Sequence, residues 1–197
     1  NFGENLGLET TVDEVGNVII KKPATAGMED RKSVVLQSHL DMVHQKNNDV
    51  NFDFDTQGIQ MEIDGDWVKA KGTTLGADNG LGVASIMSIL ESNDIPHPAL
   101  EALFTIDEET GMTGAMGLKP GQLNGEILLN LDTEEDDEID IGCAGGIDVT
   151  ATQNYGLENA RGQIVKIEVK GLQGGHSGMD IIKGFGNSNV ILGRLLY

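Results

Sequence analysis

The first 145 residues alternate between short apolar runs and glycine-rich acidic segments. Residues 33–37 (S-V-V-L-Q), 100–106 (L-E-A-L-F-T-I) and 127–131 (I-L-L-N-L) are rich in apolar residues at neighbouring positions, as strands covered on both faces are. Residues 15–20 alternate more weakly and predict a further strand. Residues 61–63 and 67–70, joined through Asp64-Gly65, predict a hairpin. Leu81, Val83, Ala84, Ile86, Met87 and Leu90 recur at helical spacing and predict a helix over 79–90, with Asp78 at its start as a potential N-cap. Residues 45–58 are polar and read as an excursion. Strands alternating with a helix in this way predict an α/β fold: a mixed sheet flanked by helices.

Past Gly145-Gly146 the pattern changes. Residues 163–170 alternate strictly and predict a half-exposed antiparallel strand. A glycine-rich loop with His176 follows, and residues 186–197 predict an amphipathic helix. Such a β-loop-α unit is too small to bury itself. The expected organisation is therefore a first domain over 1–145 and the beginning of an α+β domain over 146–197. The chain opens at Asn1 without Met and closes inside the last predicted helix, so it reads as a piece of a longer protein.

Charge narrows the function classes. Thirty-two acidic residues against 13 basic ones give a formal net charge of −19. Such a chain repels nucleic acid and anionic membrane surfaces. No signal peptide and no run of ~18 apolar residues marks a membrane span. The single cysteine, Cys143, rules out an internal disulfide and a thiolate cluster, and fits a reducing, cytoplasmic setting. Cys143 itself reads as a small buried residue, since no histidine is predicted beside it.

Four motifs carry candidate chemistry: Ser38-His39-Leu40-Asp41, Gly76-Ala77-Asp78-Asn79-Gly80, Asp107-Glu108-Glu109-Thr110-Gly111 and Leu131-Asp132-Thr133-Glu134-Glu135. Three follow predicted buried strands and the fourth starts the predicted helix. Ligands of open α/β sheets bind outside the carboxyl ends of the strands, so all four point to one rim. Zinc takes imidazole nitrogen and carboxylate oxygen, and a pair of ions can share a bridging carboxylate. Asp78 at a helix start suits the bridge, with His39, Glu109 and Asp132 as terminal ligands. Asp41, two residues from His39, shares its face on extended backbone and can orient the imidazole. Glu108 is placed to act as general base. Singly, each motif has a plainer reading: a structural histidine, an N-cap, a solvated loop, a capped turn. Their coincidence on one rim favours the metal site. The run 134–138 reads mainly as solvated surface, and His44 and His97 as structural or exposed. His176, in Gly174-Gly175-His176-Ser177-Gly178, reads equally as a turn residue and as one that approaches a ligand or a partner subunit.

In their order along the chain, S-H-L-D-M, G-A-D-N-G-L-G, D-E-E-T-G-M-T-G-A, L-D-T-E-E and G-G-H-S-G resemble the aminoacylase/carboxypeptidase-like zinc exopeptidases. Within them they resemble the aminoacyl-histidine (cytosol non-specific) dipeptidase branch. The resemblance implies a zinc-exopeptidase-like catalytic domain followed by a lid, two Zn2+ ions per complete site (Mn2+ or Co2+ also suit the ligands) and hydrolysis of Xaa-His and other unsubstituted dipeptides. It implies His39, Asp78, Glu109 and Asp132 as metal ligands with Asp78 bridging, Asp41 and Glu108 as catalytic residues, and a cis peptide bond after Asp78. His176 would bind substrate from the lid, through which the full-length protein can form a homodimer. The family's fifth protein ligand, a late histidine, has no counterpart in these 197 residues, so this chain alone is expected to be weakly active or inactive. Two other functions suit the same residues: an amidohydrolase of N-acyl amino acids, and a non-catalytic metal- or partner-binding module.

Overall fold

The computed structural model describes residues 1–133, 137–142, 145, 147, 149–159, 161–175 and 180–197. They fall into two compact units, Asn1–Ile141 and Gly142–Tyr197.

The first unit is built on a five-stranded mixed sheet. In chain order its elements are α1 (Phe2–Asn5), β1 (Glu9–Val12), β2 (Val18–Lys22), β3 (Val34–His39), β4 (Met61–Asp64), β5 (Trp67–Ala70), α2 (Ala77–Glu91), β6 (Leu100–Thr105), α3 (Thr113–Gly117) and β7 (Ile127–Asn130). The sheet order is β1-β2-β6-β3-β7. β1 and β2 pair antiparallel, as do β2 and β6, whereas β3 runs parallel to both neighbours, β6 and β7. The mixed α/β sheet expected from the sequence is thus present.

Strand periodicity separates two cores. Ile20, Leu36, Ala102 and Phe104 face Ile86 and Leu90 of α2, while Ile19, Val35 and Leu103 face the opposite side, where Leu118 and Leu123 cover them. Burying both faces explains why β3 and β6 read as near-continuous apolar runs. Ile86 is fully buried, and burial of such a side chain contributes about 1.5–3 kcal/mol. Lys22 Nζ donates to the carbonyls of Ile89 and Ser92 at 2.9 and 2.5 Å. It places a cation where the last turn of α2 leaves acceptors unpaired.

Several local expectations shift. The segment 13–17 is a turn rather than the start of β2: Asp13 Oδ1 accepts the N–H groups of Val15, Gly16 and Asn17. In the hairpin, Asp64 pairs with Trp67, so its loop is Gly65-Asp66 and not Asp64-Gly65. Gly65 supplies the positive φ, +62°, that tight hairpin loops require. Asp78 does not cap α2. The N-cap is Gly76, and Asp78 has non-helical backbone angles with its carboxylate turned to His39.

In the second unit the described residues form a short 3₁₀ turn, Ile181–Lys183, and α4, Ser188–Leu196, whose first turn is capped by Asn187 Oδ1 accepting from Val190 N at 3.1 Å. The strand predicted over 163–170 does not form among the described residues. A lone strand has nothing to pair its backbone groups with, and the described residues of this unit contain no other strand. None of those residues is buried, and Ile164 is fully exposed.

Candidate metal centre

Strands β7, β3 and β6 lie side by side and parallel, so their carboxyl ends share one edge of the sheet. His39 is the last residue of the middle strand. Its ring is 1% exposed, so the surrounding core fixes its direction. Asp132 lies two residues beyond β7 and Glu108 three beyond β6. Asp78 enters from the start of α2, which packs on β3.

The imidazole is the hub of the cluster. Its Nε2 lies 3.1 Å from Asp78 Oδ1, 3.7 Å from Asp132 Oδ2 and 4.0 Å from Glu108 Oε2. Its Nδ1 faces the Asp41 carbonyl at 3.0 Å and the Asp41 carboxylate at 3.4 Å. A cation bound at Nε2 would leave the ring proton on Nδ1, where the Asp41 carbonyl and carboxylate can accept it. Ligand atoms fall into two triplets that share His39: with Asp78 and Asp132, and with Glu108 and Glu109. Within each triplet they stand within 4.8 Å of one another.

This donor set fits a divalent cation. Ligand atoms ~2.0–2.2 Å from a tetrahedral zinc stand ~3.3–3.6 Å from one another, and the 3.1 and 3.7 Å separations bracket that edge. Charge argues the same way. Asp41, Asp78, Glu108, Glu109 and Asp132 surround one imidazole, and among the described residues no Lys or Arg pairs with any of them. Burial, followed by the charge of Asp78, raises the Asp132 carboxyl against the counter-effects of His39 and Asn79. Burial also raises Glu108 and Glu109, with neighbouring carboxylates adding to it and His39 opposing it. For His39, burial disfavours the cation, but Asp132, Asp78 and Asp41 outweigh it and the net shift is upward. For the three carboxyls burial is the leading cause and neighbouring carboxylates add to it; a bound cation would favour their charged forms against both.

Asp41 does more than face the ring. Burial opposes its ionisation, yet the N–H groups of Glu109 and Glu108, both 3.1 Å from its carboxylate, pull its pKa down. Two contributors escaped the sequence reading. Asp107 adopts φ +57° and accepts the hydroxyls of Thr110 and Thr113, closing the loop that presents Glu108 and Glu109. Its spacing to the two threonines is a side-chain turn signal that could have revealed it. Buried Asn17 donates to Asp13 Oδ2 and to the Gly114 carbonyl, each at 2.8 Å, and accepts from Ile106 N at 3.4 Å. It ties the β1–β2 turn to the end of β6, and nothing local in the sequence signals that.

The Asp78–Asn79 peptide bond is cis, as the resemblance implies. His97 is buried, with Nδ1 donating to the Pro98 carbonyl at 2.7 Å, and exposed His44 lies against Phe54. Both stand apart from the cluster. His176, Cys143 and residues 134–136 of the acidic run lie outside the described residues.

No family model matches the chain. It is 54% identical to the cytosol non-specific dipeptidase of Escherichia coli (strain K12), over 99% of this chain and 41% of that protein. The crystal structure of the aminoacylhistidine dipeptidase from Vibrio alginolyticus superposes with a TM-score of 0.73 and 49% identity, over 99% of this chain and 40% of that one. Aminopeptidase PepT from Bacillus cereus ATCC 10987 matches at a TM-score of 0.55 and 27% identity, over 68% of this chain and 36% of that one. The resemblance read from the motifs is borne out, and the chain spans about two fifths of the length of its dipeptidase relatives.

Proposed function

We propose, from a chain whose relatives are dipeptidases, that residues 1–145 form the metal-binding catalytic core of a metal-dependent dipeptidase acting on Xaa-His and other unsubstituted dipeptides. His39, Asp78, Glu109 and Asp132 would hold two Zn2+ ions in the complete site, Asp78 being the carboxylate suited to serve both; Mn2+ or Co2+ suit the same donors. Residues 146–197 begin a lid and dimerisation domain, from which His176 reaches the substrate. The protein works in the cytoplasm, as the name of its Escherichia coli relative suggests. Among the described residues no helix is long and apolar enough to cross a membrane.

The observation that carries this reading is the convergence of His39, at the end of β3, and Asp132, after the neighbouring parallel strand β7, with Asp78 from the start of α2. Bound ions would supply Lewis acidity to the scissile carbonyl and lower the pKa of water. The side chains supply the rest. Glu108 takes a proton from water as its oxygen attacks the peptide carbonyl carbon, then delivers that proton to the amine nitrogen as the C–N bond breaks. Its raised pKa suits a carboxylate that must both accept and return a proton. Asp41 keeps Glu108 and His39 in place on one side of the site.

Calorimetric titration of the metal-free chain with zinc tests the site, and hydrolysis of dipeptides against N-acetyl amino acids by the complete protein tests the reaction. Zinc uptake and preference for free dipeptides are expected. Absence of uptake, or hydrolysis confined to N-acetyl amino acids, would refute the reading.

A further inference from the structure

Behind the cluster, three oxygen atoms converge on Gly82 of α2. A Cβ added there would clash with Asn79 Oδ1 and Ser38 Oγ and would lie 2.9 Å from the Leu131 carbonyl oxygen. Ser38 is 0% exposed and Asn79 3% exposed. Ser38 Oγ and Asn79 Oδ1 have no hydrogen-bond partner among the described residues. Buried polar groups are nearly always paired, so two orphans aimed at one point need an explanation.

Sequence neighbours provide one. Ser38 precedes His39, Asn79 follows Asp78 and Leu131 precedes Asp132. The three residues that meet at Gly82 are therefore each bonded to a member of the His39–Asp78–Asp132 triplet. β3, α2 and the segment after β7 touch at this point through polar atoms, one residue away from where they offer donor atoms to a cation. Only a residue without a side chain lets them approach so closely.

We infer that Ser38, Asn79 and Gly82 form a positioning hub that sets the spacing of His39, Asp78 and Asp132 for a divalent cation. Ser38 Oγ and Asn79 Oδ1, unpaired among the described residues, and the Leu131 carbonyl oxygen all crowd the space a Gly82 side chain would fill, so the hub acts through close packing at the glycine. None of the hub atoms touches the cation. They act by holding the backbone that carries its ligands, and loss of such supporting groups typically costs 10–100-fold in metal affinity. This inference rests on the metal-site reading above.

Zinc calorimetry and thermal unfolding of the metal-free chain, each with Ser38→Ala and with Gly82→Ala, test it. A hydroxyl that is buried and unpaired costs stability, so deleting it should leave the melting temperature of the metal-free chain unchanged or raised. The hub predicts the opposite direction for binding: zinc affinity of Ser38→Ala falls at least tenfold. Gly82→Ala, which pushes Asn79 and Ser38 apart, should lower affinity as far or further; if it does not fold, Ser38→Ala decides. Equal zinc affinity in Ser38→Ala and the unsubstituted chain would overturn the hub and leave the metal site standing. No uptake by the unsubstituted chain would overturn both.

Discussion

The Asp41 carboxylate accepts the main-chain N–H of Glu109 at 3.1 Å, and its other oxygen accepts that of Glu108 at the same distance. Asp41 follows β3 and the two glutamates follow β6, so one side chain ties the ends of two neighbouring strands together. Asp41→Ala would leave two partly buried donors unpaired, at about 1–3 kcal/mol each. It should lower the urea midpoint and weaken zinc uptake by the chain. Asp41→Asn, which keeps one acceptor oxygen, should fall between the two. An Asp41→Ala chain as stable as the unsubstituted one would show that the clamp carries no weight.

Glu108 can be separated from the metal ligands. In the complete protein, Glu108→Gln preserves size and hydrogen bonding but cannot take a proton. Turnover of a dipeptide should fall by about 10²–10⁴-fold, with zinc content, read by atomic absorption, unchanged. Retained turnover would move the base elsewhere.

Glu101 is buried in β6, and its Oε2 accepts the N–H groups of Asn124 and Gly125 at 2.7 and 2.8 Å. These bonds set the entry of β7, which ends two residues before Asp132. Glu101→Ala should destabilise the chain by about 2–3 kcal/mol, because both donors lose their acceptor inside the fold. Glu101→Gln, which retains an acceptor oxygen, should cost less. Urea unfolding of the three chains measures the order.

Asp13 gives a pH signature away from the metal cluster. Burial alone would raise its pKa, but hydrogen bonds from the Asn17 side chain and from the N–H groups of Asn17, Gly16 and Val15 outweigh it and lower the pKa. A carboxyl with a folded pKa below its unfolded one stabilises the fold above the unfolded pKa. That contribution disappears as pH falls through the folded value. Asp13→Asn should therefore be least stable relative to the unsubstituted chain near neutral pH. The gap in urea midpoints should narrow on acidification below the ordinary aspartate value of 3.8. A pH-independent gap would contradict the assignment.

Much of this was legible in the chain. Runs such as Val34–His39 and Leu100–Thr105 bury alternate side chains on two faces, and that demand is visible as near-continuous hydrophobicity. Donor residues directly after those runs place His39, Glu108, Glu109 and Asp132 at strand ends. Local pattern misled where side chains had distant partners. Asp78 reads as a helix cap because caps and ligands use the same residue type, yet its carboxylate is turned to His39 across 39 positions of sequence. Residues 163–170 alternate like a strand, but alternation cannot supply a neighbour to pair with.

The sequence by itself determined the strands β3, β6 and β7, the helix α2 and which residues hold donor atoms, since these follow from side-chain polarity at short range. Only the tertiary structure decided that β3 lies between β6 and β7, that Asp41 holds the Glu108–Glu109 loop, and that Ser38, Asn79 and Leu131 meet at Gly82. Those relations depend on backbone pairing and close packing between segments far apart in the chain, which no local pattern records.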